Sequence, residues 1–390
     1  MKSTVINQLY DQKWDKTATM EYQRASQFTP YIGRGASKPI VLRNMDSQTD
    51  NVPFVPDVQG KFVNGDNRAK GNGRAMQTYH EQVTAEWLRF PIEYTKRTAS
   101  FASFDVRGAA KDSVVNFNKN GMRTRLIDAS LSVRNSTAAG ANSPYGVIEA
   151  GTYGPEITSS TRSGASITTI EGEDTVSADE TTLDGWLGRN SDRVLFGSLR
   201  SNNSANDHSA SLSNIDATDD TPRKSNIKLL HQMAKLANPK IHPFMLKNDK
   251  NGGFQEWYLY LVGSRGFGQF SDDPEIIQAN ASARERGLDN PLFTGGELLV
   301  DGVIIKQVEE MPVITGVGAS SIDVGVGVMW GNQAIAYGSY QEMRSIVDVD
   351  DDYEFVTGIC SEVCDTFKKI FFNGKQHGML THYFAAPAAG

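Results

Sequence analysis

RERGLDNPLFTGGELLVDGVII, Arg284–Ile305, packs a helix end, an Asn-Pro, a Gly-Gly and an Asp-Gly into one short stretch. The residues ahead of it, DDPEIIQANASARERG, place an Asp at the cap, Pro274 in the first turn and Gly287 just past the end, the asymmetry of a helix. Gly287 stops that helix, Asn290-Pro291 forces an extended exit, Phe293 offers an apolar anchor, and the glycines permit tight bends. LLVDGVII then reads as two short strands joined at Asp301-Gly302, a pair suited to a two-residue hairpin. The stretch holds no obvious nucleophile, metal-ligand set or phosphate loop. Its residues fix angles, and from the residues alone ordinary turns of an enzyme scaffold are an equal reading.

Helices and strands continue on both sides. Upstream, SNIKLLHQMAKLAN carries Ile227, Leu230, Met233, Ala234 and Ala237 on one helical face, with Ser225 as N-cap and Asn238-Pro239 as the stop, and EWYLYLVG reads as a buried strand. GSRGFG, at Gly263, is neither a dinucleotide nor a Walker sequence and reads as a turn after that strand. Further strands are expected at MPVITGV, VGVGVMWG, KKIFF and GMLTHYF, the last two around a turn at Asn373-Gly374. From Phe101, Val106, Ala110, Val114 and Phe117 recur at helical spacing, and Leu126, Ile127 and Leu131 continue the stripe past a weak point at Asn120-Gly121. The fold class is α+β, with sheets and long helices interleaved.

The remaining segments are polar. Residues 1 to about 60, interrupted by Pro30, Pro39, Pro53 and Pro56, read as an extended arm that needs a neighbour. Val58 to Phe90 is strand-like on both sides of NGDNRAKGNGR and reads as a long hairpin or flap with an exposed tip at Asn64 to Arg74. Ser, Thr, Gly, Asn and Asp dominate from Asn135 to Thr221, so a structureless insert or a loop-bearing β subdomain is expected there, the island GRNSDRVLFG excepted.

At 390 residues the chain buries a sizeable core without staples, and its two cysteines, Cys360 and Cys364, exclude a disulfide framework and suit a reducing cytosol. The N-terminus lacks the apolar run of a secretory signal, and the longest apolar runs fall far short of the ~18 residues that span a bilayer. A formal net charge of -7 argues against gripping nucleic-acid phosphate.

Chemical motifs are weak throughout. None of His80, His208, His231, His242, His377 and His382 sits in metal-binding spacing. Cys360 and Cys364, one helical turn apart, read as small packing groups. DVDDDYE, Asp348–Glu354, begins like a calcium loop but has Tyr353 at the glycine position and Ile359 at the bidentate-Glu position, so it reads as a solvated charge cluster or a partner for another subunit's arginines. Lys61 and Lys70 of the flap read as ordinary polar residues, because an isopeptide bond to asparagine needs a buried base that spacing does not specify. No GxSxG elbow occurs.

Taken together, KRTASFASFDVRGAAKD (Lys96–Asp112), SDRVLFG (Ser191–Gly197), LANPKIHPF (Leu236–Phe244), ARERGLDNPLFTGGELLVDGVII (Ala283–Ile305), GVMWGNQAIAYG (Gly327–Gly338), DDYEF and FNGKQHGMLTHYFA resemble, in order, the major capsid protein of tailed bacteriophages. More narrowly, the chain resembles the N-four-like phage major capsid family, with the Hong Kong 97-type fold. The resemblance implies an N-terminal arm (1–57), an extended flap or E-loop (58–95), a spine helix of a peripheral domain (96–134) and a polar insert or loop-bearing subdomain (135–222). It further implies an axial domain with adjoining peripheral strands (223–345), then a C-terminal helix and closing hairpin (346–390). The matching regions begin too early for a large removable pro-segment.

The function implied is a non-enzymatic shell protein that self-assembles as hexamers and pentamers around double-stranded DNA, without sequence-specific binding, cofactor, metal or membrane. Portal protein, and scaffolding or decoration proteins, are the implied partners. The implied location is the virion capsid, assembled in the host bacterial cytoplasm. Arg68, Lys70 and Arg74 of the flap, with Asn290, Pro291 and Phe293, are the candidate assembly contacts. A cargo-holding cage of the same fold is the alternative; a cytosolic hydrolase is a weaker one.

Overall fold

The computed structural model describes residues 28–34, 38–54, 63–65, 79–103, 106–131, 156–158, 183–247, 254–278, 298–309, 311–351, 355–372 and 375–387. In chain order the strands are β1 (Ile32–Gly33), β2 (Ile40–Asn44), β3 (Thr49–Phe54), β4 (Tyr79–Thr84), β5 (Glu86–Thr95), β6 (Glu156–Thr158), β7 (Val194–Phe196), β8 (Phe244–Lys247) and β9 (Phe254–Val262). They continue as β10 (Leu298–Val300), β11 (Val303–Gln307), β12 (Val313–Thr315), β13 (Val324–Trp330), β14 (Ile335–Asp351), β15 (Val356–Lys369), β16 (Phe371–Phe372), β17 (Lys375–Gln376) and β18 (Met379–Ala385). The helices are α1 (Lys96–Phe101), α2 (Val106–Leu131), α3 (Leu183–Asn190), α4 (His208–Ser213), α5 (Lys224–Leu236) and α6 (Ser264–Asp272).

VGVGVMW forms β13, buried along its whole length at the centre of a nine-stranded sheet. The run is apolar on both faces because both faces are covered. Val324, Val326, Val328 and Trp330 point into the larger core cluster, while Met329 joins the cluster under α5 and α6. The glycines fall on the second face for a steric reason. A Cβ at Gly325 would stand 2.4 Å from the Phe384 ring, and one at Gly327 would stand 2.3 Å from the Tyr260 hydroxyl. The sheet runs β10-β11-β9-β13-β12-β6, with β18 pairing β13 and β7, and β8 pairing β9. Asp301 and Gly302 both take positive φ, 47° and 81°, and join β10 to β11 as the two-residue hairpin expected of LLVDGVII.

The smaller sheet runs β1-β2-β14-β15-β5, with α2 across one face. Four residues, 331–334, carry the chain from β13 of one sheet to β14 of the other. Their backbone amides are taken up by older parts of the chain: Asn332 donates to the His242 carbonyl (2.7 Å), Gln333 to that of Lys38 (3.1 Å) and Ala334 to that of Pro39 (2.9 Å). Trp330, fully buried, meets the Phe28 ring at 5.8 Å, and one continuous core runs from this joint into both sheets.

Several sequence expectations change. The arm is core-forming from Phe28 onward, since Phe28, Tyr31, Ile40, Met45 and Val52 are buried; single anchors leave no periodic trace. A hairpin base, β3 with β4, starts at Thr49, ahead of the expected flap boundary, and β5 belongs to the five-stranded sheet. The long helix breaks before Val106, not at Gly121. Residues 183–222 are no polar insert: Trp186, Leu187, Val194, Phe196, Leu212 and Ile215 enter the core, and the surrounding polar groups are satisfied locally, with Asp220 accepting from Ser198, Asn202 and Asp216.

GSRGFG is the first part of α6 rather than a turn. Gly266 is there because a Cβ would lie 2.6 Å from Phe384. Ser225 does not cap α5. The helix starts at Lys224, whose amide donates to Asp273 (2.7 Å), and Asp273 also caps the helical residues 274–278 through the Glu275 amide (3.0 Å). The helix expected within 346–390 is absent from the described residues, which are strands; Cys360 and Cys364 therefore lie on β15, four residues apart on one strand face. Asn373-Gly374 and the Asn290-Pro291 segment lie outside the described residues.

Replacing Gly325 by Ala should lower stability by about 1–3 kcal/mol through overpacking against Phe384. Adding Phe384→Leu should recover part of that loss in a thermal melt, whereas an unrelated defect would leave the two losses additive.

Candidate assembly surface

The face of the smaller sheet under α2 is pinned by polar rungs. Asn118 donates to the Ser361 hydroxyl (2.8 Å), Arg125 pairs with the fully buried Asp365, and the buried Lys369 ammonium donates to the Ser130 carbonyl (3.0 Å). Between these rungs the Phe90 and Phe117 rings stack at 3.7 Å, and Tyr337 stacks on Phe367 at 4.5 Å. The Arg125 guanidinium also lies over Phe367, 5.6 Å from its centroid. Side chains alternate along β15, so residues 361, 365 and 369 meet the helix while 360, 362 and 364 face the other way.

That opposite face is only partly covered. The β3–β4 hairpin lies over one end, where Val52 and Val83 meet Ala336 and Ile370, and Met45 and Ala85 meet Cys364. Beyond the hairpin, Trp87 is 52% exposed and Tyr340 is 47% exposed, their rings edge to face at 6.3 Å. Arg344 pairs with Glu362 beside them, and Ile346 is exposed further along β14. At the other end of β5 sits α1, none of whose residues is buried; Phe101 is 83% exposed. A soluble monomer has little reason to display these aromatics together, whereas a surface waiting for a partner does.

The profile of the phage capsid protein family matches residues 3–387. The chain belongs to the phage capsid protein family. No curated protein matches it. Among solved structures, the capsid protein of cyanophage Pam1 is similar over 94% of both chains at 24% identity, with a TM-score of 0.73. That of Ralstonia phage GP4 covers 94% of this chain and 92% of its own at 15% identity, with a TM-score of 0.67, and that of Helicobacter pylori bacteriophage KHP30 covers 92% and 91% at 10% identity, with a TM-score of 0.58. These likenesses show the fold, the α+β Hong Kong 97-type capsid fold. The chain is a major capsid protein, a non-enzymatic component of the phage head shell.

For a capsid protein the informative question is which groups face outward. The expected contacts Arg68, Lys70, Arg74, Asn290, Pro291 and Phe293 all lie outside the described residues. Trp87, Phe101 and Tyr340 escaped the sequence reading, because an aromatic on a strand or short helix carries no mark of which side it faces. Buried titratable groups serve the fold. The Arg193 guanidinium, fully buried, donates to the carbonyls of Gln376 (2.7 Å), His377 (2.8 Å) and Pro239; burial pulls it down to about 10, with Asp192 opposing, so it stays charged at neutral pH. Burial pushes both thiols up, with Glu362 adding at Cys360 and Asp365 and Glu86 adding at Cys364, which suits packing rather than nucleophilic attack.

His382 is the most constrained of the histidines. Its Nε2 lies 3.1 Å from the Gly197 carbonyl, which can only accept, so Nε2 carries the proton and Nδ1 accepts from the Tyr260 hydroxyl at 2.8 Å. Burial holds the imidazole down to about 4 and raises Tyr260. Because the unfolded chain binds this proton near pH 6.5 and the folded chain only near 4, stability is full above 6.5 and declines as pH falls toward 4. The decline attributable to His382 should reach roughly 3 kcal/mol. Urea midpoints at pH 7 and pH 4.5, compared with those of His382→Gln, measure it; an unchanged pH dependence in the variant would exclude His382 as the cause.

Proposed function

We propose that copies of this chain close as hexamers and pentamers into the icosahedral head of a tailed phage around double-stranded DNA. The family match over residues 3–387 carries the reading. A net charge of -7 supports enclosure without adhesion, since a basic wall would bind phosphate by counterion release and resist both packing and ejection.

In this reading the host bacterial cytoplasm is the site of assembly. A portal protein interrupts the shell, and scaffolding or decoration proteins guide or coat it. Arg68, Lys70 and Arg74 dock on an adjacent subunit, and Asn290, Pro291 and Phe293 set the exit angle of their segment. The domain division into arm, flap, peripheral and axial parts belongs to the same proposal.

Sedimentation and negative-stain microscopy of the chain expressed alone should give closed shells, tubes or ring-shaped capsomers. A chain that stays monomeric, also when co-expressed with the other head proteins of its phage, would overturn the reading. Charge reversal at Arg68, Lys70 and Arg74 should reduce assembly and leave the melting temperature unchanged. Deleting residues 1–27, which keeps Phe28 and Ile40 in the core, should give soluble capsomers in place of closed shells; ordinary shells would remove those residues from the assembly machinery.

A further inference from the structure

We infer that one contact between copies joins opposite ends of the smaller sheet: the acidic tip of the β14–β15 hairpin of one chain enters an arginine-flanked groove beside β2 of the next. This rests on the shell-building reading and names the surfaces that meet. The groove, about 450 Å³, lies between β2 and β3 and reaches Gln333 in the passage between the sheets. Val41, Leu42, Val52 and Pro53 give it an apolar lining, and Arg34 and Arg43 are the only charged residues among those that line it. Both arginines are exposed. Asp50 takes the Nε edge of Arg43 at 2.8 Å. Further donors on that guanidinium, and all of those on Arg34, have no partner among the described residues.

An arginine pair over an apolar floor suits carboxylates carried beside an aromatic ring, because the guanidinium fork matches a carboxylate and its plane stacks on rings. DVDDDYEF, Asp348–Phe355, has five carboxylates and two aromatic rings, and no Lys, Arg or His occurs between Arg344 and Lys368. It forms the turn end of the hairpin, where β14 stops at Asp351 and β15 starts at Val356, and Phe355 there is 43% exposed. Neighbouring charges leave this tip acidic. Lys96 and Arg97 of α1 adjoin it, the Lys96 amide donating to the Phe355 carbonyl (2.7 Å), but Glu93 of β5 is exposed beside them. Asp105, Arg107, Lys111 and Asp112, which follow, cancel. Around the groove, Lys38 and Lys368 add to the arginines while Asp46, Asp50 and Glu81 oppose them, so the positive charge is concentrated in the lining itself. One chain cannot make this contact with itself. The groove lies at the start of β14, whose first residues pair with β2, and 17 residues of strand carry the tip roughly 50 Å away. The occupant is therefore the tip of a second copy. Because tip and groove differ, the contact is heterologous and repeats around a symmetry axis.

A charge swap tests this in the full-length chain. Arg34→Glu with Arg43→Gln, and separately Asp352→Lys with Glu354→Lys, should each lower the yield of assembled particles at least about tenfold, with unchanged circular dichroism. The fourfold variant should return the yield to within about threefold of the unaltered chain. In a Cys360→Ser background, Arg34→Cys with Tyr353→Cys should give a ladder of disulfide-linked oligomers on oxidation, since the two positions are too far apart to bond within one chain. Normal yields from both pairs of substitutions, together with no ladder, would overturn this contact while leaving the shell reading intact. An unaltered chain that stays monomeric, with no ladder from the cysteine pair, would overturn both. A loss of yield confined to one pair, without the ladder, would give that side to a different occupant and refute the contact.

Discussion

The passage from Trp330 to Ile335 is the constraint on which both sheets depend. A strand leaving one sheet must enter another with its register fixed, and four residues leave little room for error. Backbone hydrogen bonds to Lys38, Pro39 and His242 supply that precision, because they bind the turn to segments already placed in each sheet. Gly331 allows the approach: a Cβ there would stand 2.5 Å from the His242 carbonyl. Trp330 seals the joint from the core side. Loosening it would alter the angle between the sheets, and in a closed shell a small angular error at each copy accumulates around the ring.

The second requirement is stiffness in the smaller sheet. A 26-residue helix is about 39 Å long, and an apolar stripe alone would let it slide along the sheet it covers. Asn118–Ser361, Arg125–Asp365 and Lys369–Ser130 forbid sliding, since each rung is directional and two use buried charges that are costly to strand. Stiffness on this face leaves the opposite face free to carry contacts. The same strand, β15, addresses the helix with one set of alternating side chains and the hairpin and open surface with the other.

Much of the larger sheet was legible in the sequence because it follows local rules. Asp301-Gly302 is a hairpin pair wherever it occurs between β-formers, the apolar run of β13 could only be a covered strand, and the α5 stripe has helical period. The errors share a cause. Gly266 and its neighbours suggested a turn, but glycine also serves close packing, and only the Phe384 ring reveals which. Phe28, Tyr31 and Ile40 sit among polar residues, so no window average finds them. The 183–222 region reads as insert because its side-chain oxygens, notably those of Asp220, are occupied by nearby backbone and amide groups rather than by water. Cysteine spacing fits a helix or a strand face equally well, and tertiary pairing decides between them. As for the surface, exposure is a property of the assembled sheet and is invisible in a strand taken alone.

Two buried titratable groups, Arg193 and His382, act as braces of the fold. Strongly perturbed side chains often mark active sites, where a cleft concentrates groups that need unusual proton affinities. Here Arg193 is turned onto three carbonyls, and His382 is held between a carbonyl and a buried tyrosine hydroxyl. Each of these two groups is spent on the backbone or on another buried side chain, and each ties together segments distant in sequence: Arg193 joins β7 to the β17–β18 turn, and His382 joins β18 to β9 and to the end of β7. Burial perturbs them because they are internal braces. A shell subunit needs such braces, for its task is to hold one shape while neighbours press on it from several directions, and the side chains with the strongest directional bonds are therefore placed where shape is decided.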